Sequence, residues 1–266
     1  MVKTGQPERL DKNRVASRFR ASAATYEQTA IVQQEISRQL IAMMDRFHIA
    51  ACGRVLEIGC CTGILTELLC RRERIASLFV NDIVPEFCTY TEKRIASQVG
   101  RVEGIPGDIE QAVLPHHLDL VVSSSTLQWM TDLPELFGKL ATSLSDQGHL
   151  AFSIFGPGTM GEIGTLTGRS LHYYANEALA AMVEKYFRLI SIHTERRCLY
   201  FPSVRAVLRH IRETGVGGVT GAPWTQGKLK DFEKQYIARF RTDEGLPVTY
   251  ESTFVIAEKL GARVES

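Results

Sequence analysis

Residues 54–63 read Arg-Val-Leu-Glu-Ile-Gly-Cys-Cys-Thr-Gly, an apolar run that meets an acidic side chain and then a tight turn of small residues. A helix-like stretch, Ile64-Leu65-Thr66-Glu67-Leu68-Leu69, follows at once. Such a turn lets a ligand lie against bare backbone at the carboxyl edge of a sheet. Two more carboxylates belong with it. Asp82 ends the next strand-like run, about 20 residues on, where a carboxylate can take both hydroxyls of a ribose. Asp108, in Gly107-Asp108-Ile109, follows the third run and offers an acceptor to an adenine amino group. Taken singly, Asp82 or Asp108 is as well read as a helix cap or a solvated turn. Carboxylates at three successive strand ends point to a nucleotide site.

The turn also discriminates between nucleotides. A dinucleotide fingerprint feeds a pyrophosphate to a helix N-terminus. Here Gly59 and Gly63 are spaced differently, and Glu57 stands two residues before the first glycine, where it repels a pyrophosphate and attracts an ammonium group. That suits S-adenosylmethionine, which carries an amino acid in place of phosphates. Cys61 is a departure, because a glycine is expected there. If the turn needs positive φ at that position, a side chain costs roughly 1 kcal/mol. A tolerated thiol beside the cofactor is expected; the other reading is a binding module that kept the fold and lost the cofactor.

These residues need a scaffold. Strand signals fall at Arg54–Ile58, Leu78–Asp82, Val102–Ile105, Leu118–Ser123 and His149–Phe155, with helical patterns at Thr62–Arg72, Pro85–Gln98 and Leu133–Leu144. Strands alternating with helices predict an α/β fold, a parallel sheet covered on both faces. Ahead of it, residues 11–47 carry helical periodicity in which Val15, Phe19, Ala23 and Tyr26 form one stripe. After Gly156-Pro157-Gly158 the pattern changes to a helix at Asn176–Tyr186, a strand at Leu189–Thr194, helices at Val204–Thr214 and Lys228–Phe240, and a last strand at Thr249–Ala257. The Gly215–Gly221 segment is too glycine-rich to be regular.

Bulk properties exclude several classes. With 266 residues, 44% of them hydrophobic, the chain can bury a large core. A formal net charge of +1 gives no reason to expect nucleic-acid binding. No apolar run reaches about 18 residues, and the first twenty residues lack a signal-peptide core, so a cytoplasmic protein without membrane contact is expected. Cys52, Cys60, Cys61, Cys70, Cys88 and Cys198 form no Cys-x-x-Cys pair and the histidines show no zinc spacing, so reduced thiols and no metal are expected. His116, His117 and His172 read as surface or packing residues.

The nucleotide residues, with Asp119-Leu120-Val121-Val122-Ser123-Ser124-Ser125 and Thr126-Leu127-Gln128-Trp129, resemble class I S-adenosylmethionine-dependent methyltransferases. Leu144-Ser145-Asp146-Gln147-Gly148 is a loose match to the turn before their fifth strand, where Pro and Gly are usual. The flanks narrow the resemblance. Asp11-Lys12-x-x-Val15-Ala16-x-x-Phe19, Ala23-Ala24-x-Tyr26, Phe155-Gly156-x-x-Thr159-x-x-Glu162, His210-Ile211-Arg212-x-Thr214-Gly215 and Thr249-Tyr250-x-x-x-Phe254 are similar to malonyl-[acyl-carrier protein] O-methyltransferases, over residues 11 to 259 or nearly the whole chain.

The resemblance implies a Rossmann-like sheet, mostly parallel with an antiparallel last strand, an N-terminal helical lid and helical insertions in the C-terminal third. As one domain it divides into a lid at 1–50, a cofactor core at 51–155, a cap-bearing segment at 156–248 and a final strand and tail at 249–266. It implies methyl transfer to the free carboxylate of a malonyl thioester, an early step of biotin synthesis that leaves S-adenosylhomocysteine. The partner is malonyl-acyl-carrier protein or malonyl-coenzyme A, and the chain is expected to act as a monomer. The cofactor contacts are Glu57, Gly59, Cys61, Gly63, Asp82, Ile83, Asp108, Ile109 and Ser124. Tyr26 in the lid orients cofactor or acceptor, Arg212 holds the malonyl carboxylate, and Gln128 lies where substrate meets cofactor. Trp129, Phe155 and Arg209 complete the acceptor site. The acceptor is an anion near pH 7, so no general base is needed. Residues 185–212 hold seven Lys and Arg against one acid, Glu195, a charge that would steer an acidic carrier protein. Two other methyltransferase readings, action on another small molecule such as a quinone precursor and RNA methylation, differ in acceptor; no motif supports the RNA reading.

Overall fold

A computed structural model describes residues 11–214 and 225–261; the Gly215–Gly221 segment lies outside them. Two helices lead, α1 (Lys12–Thr29) and α2 (Ile31–Arg46). The alternating core follows as β1 (Arg54–Ile58), α3 (Ile64–Arg72), β2 (Ser77–Asp82), α4 (Pro85–Ile95), β3 (Arg101–Pro106) and β4 (Leu118–Ser124). A 3₁₀ turn at Leu127–Trp129 leads to α5 (Leu133–Ser143) and β5 (Leu144–Phe155). The last third contains α6 (Gly161–Thr167), α7 (Asn176–Val183), β6 (Phe187–Phe201), α8 (Val204–Glu213), α9 (Gln226–Phe240) and β7 (Leu246–Lys259).

The seven strands form one sheet in the order β3-β2-β1-β4-β5-β7-β6. β1 to β5 pair in parallel, and β7 runs antiparallel between β5 and β6. Alternation along the strands sends side chains to two cores. Val55, Leu78, Val80, Leu120 and Val122 pack under α2, α3 and α4, while Leu56, Ile58, Phe79, Val121 and Leu150 pack under α5 and α7. Such near-continuous apolar strands are what a sheet covered on both faces requires. Strand order reverses between β1 and β4, and the crevice at such a switch point takes the ligand.

Four departures from the sequence reading have physical causes. The N-terminal periodic stretch is two helices, because the chain breaks at fully buried Ala30 (φ −81°, ψ 45°). α2 then packs on the sheet while α1 crosses the crevice. β6 runs far beyond the expected Leu189–Thr194, pairing with β7 from Phe187 opposite Lys259 to Phe201 opposite Leu246. Its Thr-Glu-Arg-Arg stretch hides the strand signal, and charge is what an exposed edge strand carries. The stretch read as a turn at Leu144–Gly148 belongs to β5, with its extra residues bulged where the register slips from Leu118–Leu144 to Leu120–His149. α6 was not anticipated; it starts after Met160 (φ 52°) and stops at Gly168 (φ 66°).

Candidate active site

β1 delivers Glu57 to the face covered by α3, where it is 1% exposed. Thr66 Oγ1 donates to Glu57 Oε2 at 2.6 Å. Burial pushes the Glu57 carboxyl up to about 8, against the Thr66 hydrogen bond and with help from nearby Asp82. The backbone then turns through Gly59 (φ 77°), Cys61 (φ 47°) and Gly63 (φ 86°). A Cβ on Gly59 would sit 2.1 Å from Thr126 Oγ1, so both the backbone angle and the space demand glycine.

Cys61 does adopt the left-handed conformation, and two contacts hold it there. Its N–H donates to Asp82 Oδ2 at 2.9 Å, and its carbonyl accepts from Thr91 Oγ1 at 3.2 Å. Burial pushes its thiol well up, so it stays protonated. Asp82, at the end of β2, also accepts from the Val84 amide at 2.8 Å through Oδ1. Burial raises its pKa to about 6, against these two amide bonds. Each carboxylate oxygen keeps another lone pair for a ligand.

A cavity opens along these strand ends, with about 670 Å³ of atom-free space counting the open solvent at its mouth. Gly59, Cys61, Asp82, Ile83, Asp108, Ile109 and Ser124, expected as cofactor contacts, line it together with Trp129, expected at the acceptor. α1 forms its roof through Lys12, Val15, Phe19 and Tyr26, so the periodic stripe of the N-terminal stretch is the inner face of a lid. Phe19 meets Trp129 edge-on at 5.9 Å and Tyr26 at 6.3 Å. Ion pairs tie the lid down: Lys12 to Asp108 and Glu110, Arg20 to Glu86, and Glu27 to Arg94. Lys12 Nζ lies 2.6 Å from Asp108 Oδ2.

An adjoining, smaller cavity shares Tyr26, Gly59, Cys61 and Ser124 with the first and is lined further by Gln33, Ser37, Glu57 and Thr62. Gln33 Oε1 and Thr62 Oγ1 are buried there without a hydrogen-bond partner. Ser125 Oγ, Gln128 Oε1 and Trp129 Nε1, on the segment after β4, are buried and unpartnered too. Polar groups are rarely left so, and their concentration around one pair of cavities fits a polar ligand that supplies the missing bonds. Ser125 adds backbone strain at φ 52°.

Tyr26 is 9% exposed, and its hydroxyl has no hydrogen-bond partner among the described residues. Burial raises its pKa well above the ordinary value, with Cys61 and Asp82 adding to the shift. Gln128 lies behind the wall, its Nε2 donating to Ser125 O at 2.6 Å. Phe155 is a core residue, 2% exposed, with its ring 5.8 Å from Tyr250. Arg209 and Arg212 are exposed on α8 and line neither cavity. Gly63 shapes the turn from outside both linings.

Several residues in the site escaped the sequence reading. Asn81 lines the larger cavity and locks β3 by donating to Ile105 O at 2.7 Å and Gly107 O at 3.0 Å. Gln33 and Ser37 reach the smaller one from α2, Ser37 donating to Ser124 Oγ at 3.1 Å. The polar character of Gln33 and Ser37 within an otherwise apolar α2 face is the signal that marks them.

Comparison with known proteins bears on this geometry. Residues 56–152 match the family described as a methyltransferase domain. The malonyl-[acyl-carrier protein] O-methyltransferase of Chlorobium phaeovibrioides is 38% identical over 254 residues, 94% of this chain and 97% of that one. The protein of the same name from Acinetobacter baylyi is 34% identical over 255 residues, 94% of this chain and 98% of that one. Among solved structures, a putative methyltransferase from Bacillus halodurans superposes with TM-score 0.59 at 14% identity, covering 83% of this chain and 98% of that one. The N-methyltransferase NodS from Bradyrhizobium japonicum, in complex with S-adenosyl-L-homocysteine, gives 0.50 at 16% identity, covering 85% and 86%. These structural likenesses concern the fold.

Proposed function

The chain belongs to the malonyl-[acyl-carrier protein] O-methyltransferase family, and from that premise we propose that it methylates the free carboxylate of a malonyl thioester on acyl-carrier protein. The methyl ester would start pimeloyl assembly for biotin. S-adenosylmethionine supplies the methyl group on a sulfonium sulfur. The observation that carries the reading is the lidded cavity at the β1/β4 switch point, walled by Asp82 and Asp108, with Glu57 in the adjoining one.

The residues divide the work by position. Glu57, Gln33 and Thr62 line the smaller cavity and suit the ammonium and carboxylate of an amino acid. Asp82 suits the ribose hydroxyls, and Asp108 with Ile109 suits the adenine. Tyr26 lines both cavities, where its hydroxyl can hold the acceptor in line with the reacting carbon. Trp129 and Phe19 close the apolar wall against water.

The acceptor carboxylate is ionised near neutral pH, so positioning and exclusion of water do the catalytic work. Among the described residues, Lys12 is the one Lys or Arg lining the two cavities, and it is engaged by Asp108 and Glu110. Neutral donors at the acceptor would leave its oxygen nucleophilic, whereas a tight ion pair would blunt it.

The test is incubation with labelled S-adenosylmethionine and malonyl-carrier protein, followed by the intact mass of the carrier. A gain of one methyl group is expected, with none on an acetyl-carrier control. A malonyl carrier of unchanged mass would overturn the proposal.

A further inference from the structure

α8 has two unlike sides. Val204, Val207 and Ile211 are buried in the core. Arg205, Arg209 and Arg212, spaced i, i+4 and i+7, are exposed along one stripe. None of the three has an ion-pair partner among the described residues, whereas Arg20, Arg38, Arg71, Arg72, Arg94 and Arg188 each have one.

The edge strand extends the stripe. Arg197 of β6 is exposed and stands opposite Tyr250 of β7. Directly opposed residues share a face of the sheet. The Tyr250 hydroxyl is 2.8 Å from His210 Nε2 of α8, so that face is the one α8 covers. Arg197 too has no ion-pair partner among the described residues. Nearby acids offer little compensation: Glu213 is the only acid of α8, and Glu195 already accepts from Gln39 Nε2 at 2.6 Å.

Like charges at i, i+4 destabilise a helix. With a net charge of only +1 the whole chain has no general excess of cations, so the concentration is local. Guanidinium groups suit bidentate recognition of carboxylates. α8 also adjoins the lid. Thr29 Oγ1 lies 3.4 Å from Glu213 O, joining the end of α8 to the end of α1, one turn past Tyr26.

We propose that Arg197, Arg205, Arg209 and Arg212 form the docking surface for the acidic face of the acyl-carrier protein that brings the malonyl thioester. The inference rests on the proposed function. It gives Arg209 and Arg212 a role at the surface instead of at the malonyl carboxylate. The carrier sits beside the α1–α8 junction and its thioester arm enters under the lid next to Tyr26.

The test is fluorescence anisotropy with labelled malonyl-carrier protein and full-length enzyme. The triple variant Arg205→Glu, Arg209→Glu, Arg212→Glu should weaken carrier binding about tenfold or more, and added salt should weaken the wild type. Arg196→Glu, on the opposite face of β6, should bind as the wild type does. S-adenosylhomocysteine titration checks that the triple variant is folded; if it is not, Arg209→Glu alone is read, with about a threefold loss expected.

Carrier affinity within twofold of wild type in the folded variant overturns the proposal. So does a wild type that does not bind the carrier, or one that binds single-stranded RNA more tightly than the carrier. Failure of the proposed function is a separate result: a wild type that binds the carrier and leaves it unmethylated.

Discussion

Replacing Glu57 with Gln should make the protein more stable at alkaline pH and worse at holding its cofactor. Glu57 is an acid whose pKa rises on folding, from an ordinary 4.5 to about 8, because it is buried. The folded protein therefore keeps a proton that the unfolded chain has lost. The resulting stabilisation is complete below pH 4.5 and is lost as the pH climbs to 8. Between pH 5.5 and pH 8 this linkage removes about 3 kcal/mol from the wild type.

The Gln side chain keeps an acceptor for Thr66 Oγ1 and has no proton to lose. Urea unfolding of both proteins, free of cofactor, at pH 5.5 and pH 8 should show a stability gap that grows by about 3 kcal/mol in favour of E57Q. The same substitution removes the carboxylate proposed to meet the cofactor ammonium. A buried charged hydrogen bond of about 1.5–3 kcal/mol then converts to a 10- to 100-fold weaker Kd for S-adenosylhomocysteine, measured by calorimetry. Binding near pH 7 should also release a proton from the wild type that E57Q does not release. A stability gap that stays constant with pH would refute the burial argument. An unchanged Kd would refute the placement of the ammonium.

Three other substitutions test the turn and the lid. Gly59→Ala puts a methyl group 2.1 Å from Thr126 Oγ1 at a φ of 77°, and cofactor affinity should fall at least about tenfold in calorimetry, with a lower Tm. Affinity and Tm both equal to wild type would contradict it. Cys61→Gly relieves a residue held at φ 47° and loses a small half-buried side chain, so stability should change by no more than about 1 kcal/mol in urea titration, with cofactor binding retained. A loss of several kcal/mol would mean that the thiol is structural. Tyr26→Phe should lower kcat with malonyl-carrier protein about three- to tenfold while leaving the Kd for S-adenosylhomocysteine within twofold; a reversed pattern would move the hydroxyl to the cofactor.

The nucleotide end of the site was legible because its requirements are local. Glycines at 59 and 63 answer to backbone angles, and carboxylates at 57, 82 and 108 answer to strand ends, each visible within a few residues of its own segment. The charged edge strand β6 and α6 were not legible. In β6 the polar sequence masks the alternation, and α6 depends on left-handed Met160 and on contacts with β7. Glu162 of α6 accepts from Thr249 Oγ1 at 2.5 Å, a partner 87 residues away.

By itself the amino-acid sequence determined the alternating fold and the turn that a nucleoside can approach, since these follow from periodicity and backbone sterics, whereas the left-handed angle at Cys61 came from the folded structure, at φ 47°. Tertiary structure alone decided what each amphipathic helix covers. Helical spacing marks Val15, Phe19 and Tyr26 as one face of α1, and Arg205, Arg209 and Arg212 as one face of α8. Only packing decided that the α1 face roofs the crevice and the α8 face points to solvent, because a stripe records which side is apolar and carries no information about its neighbour.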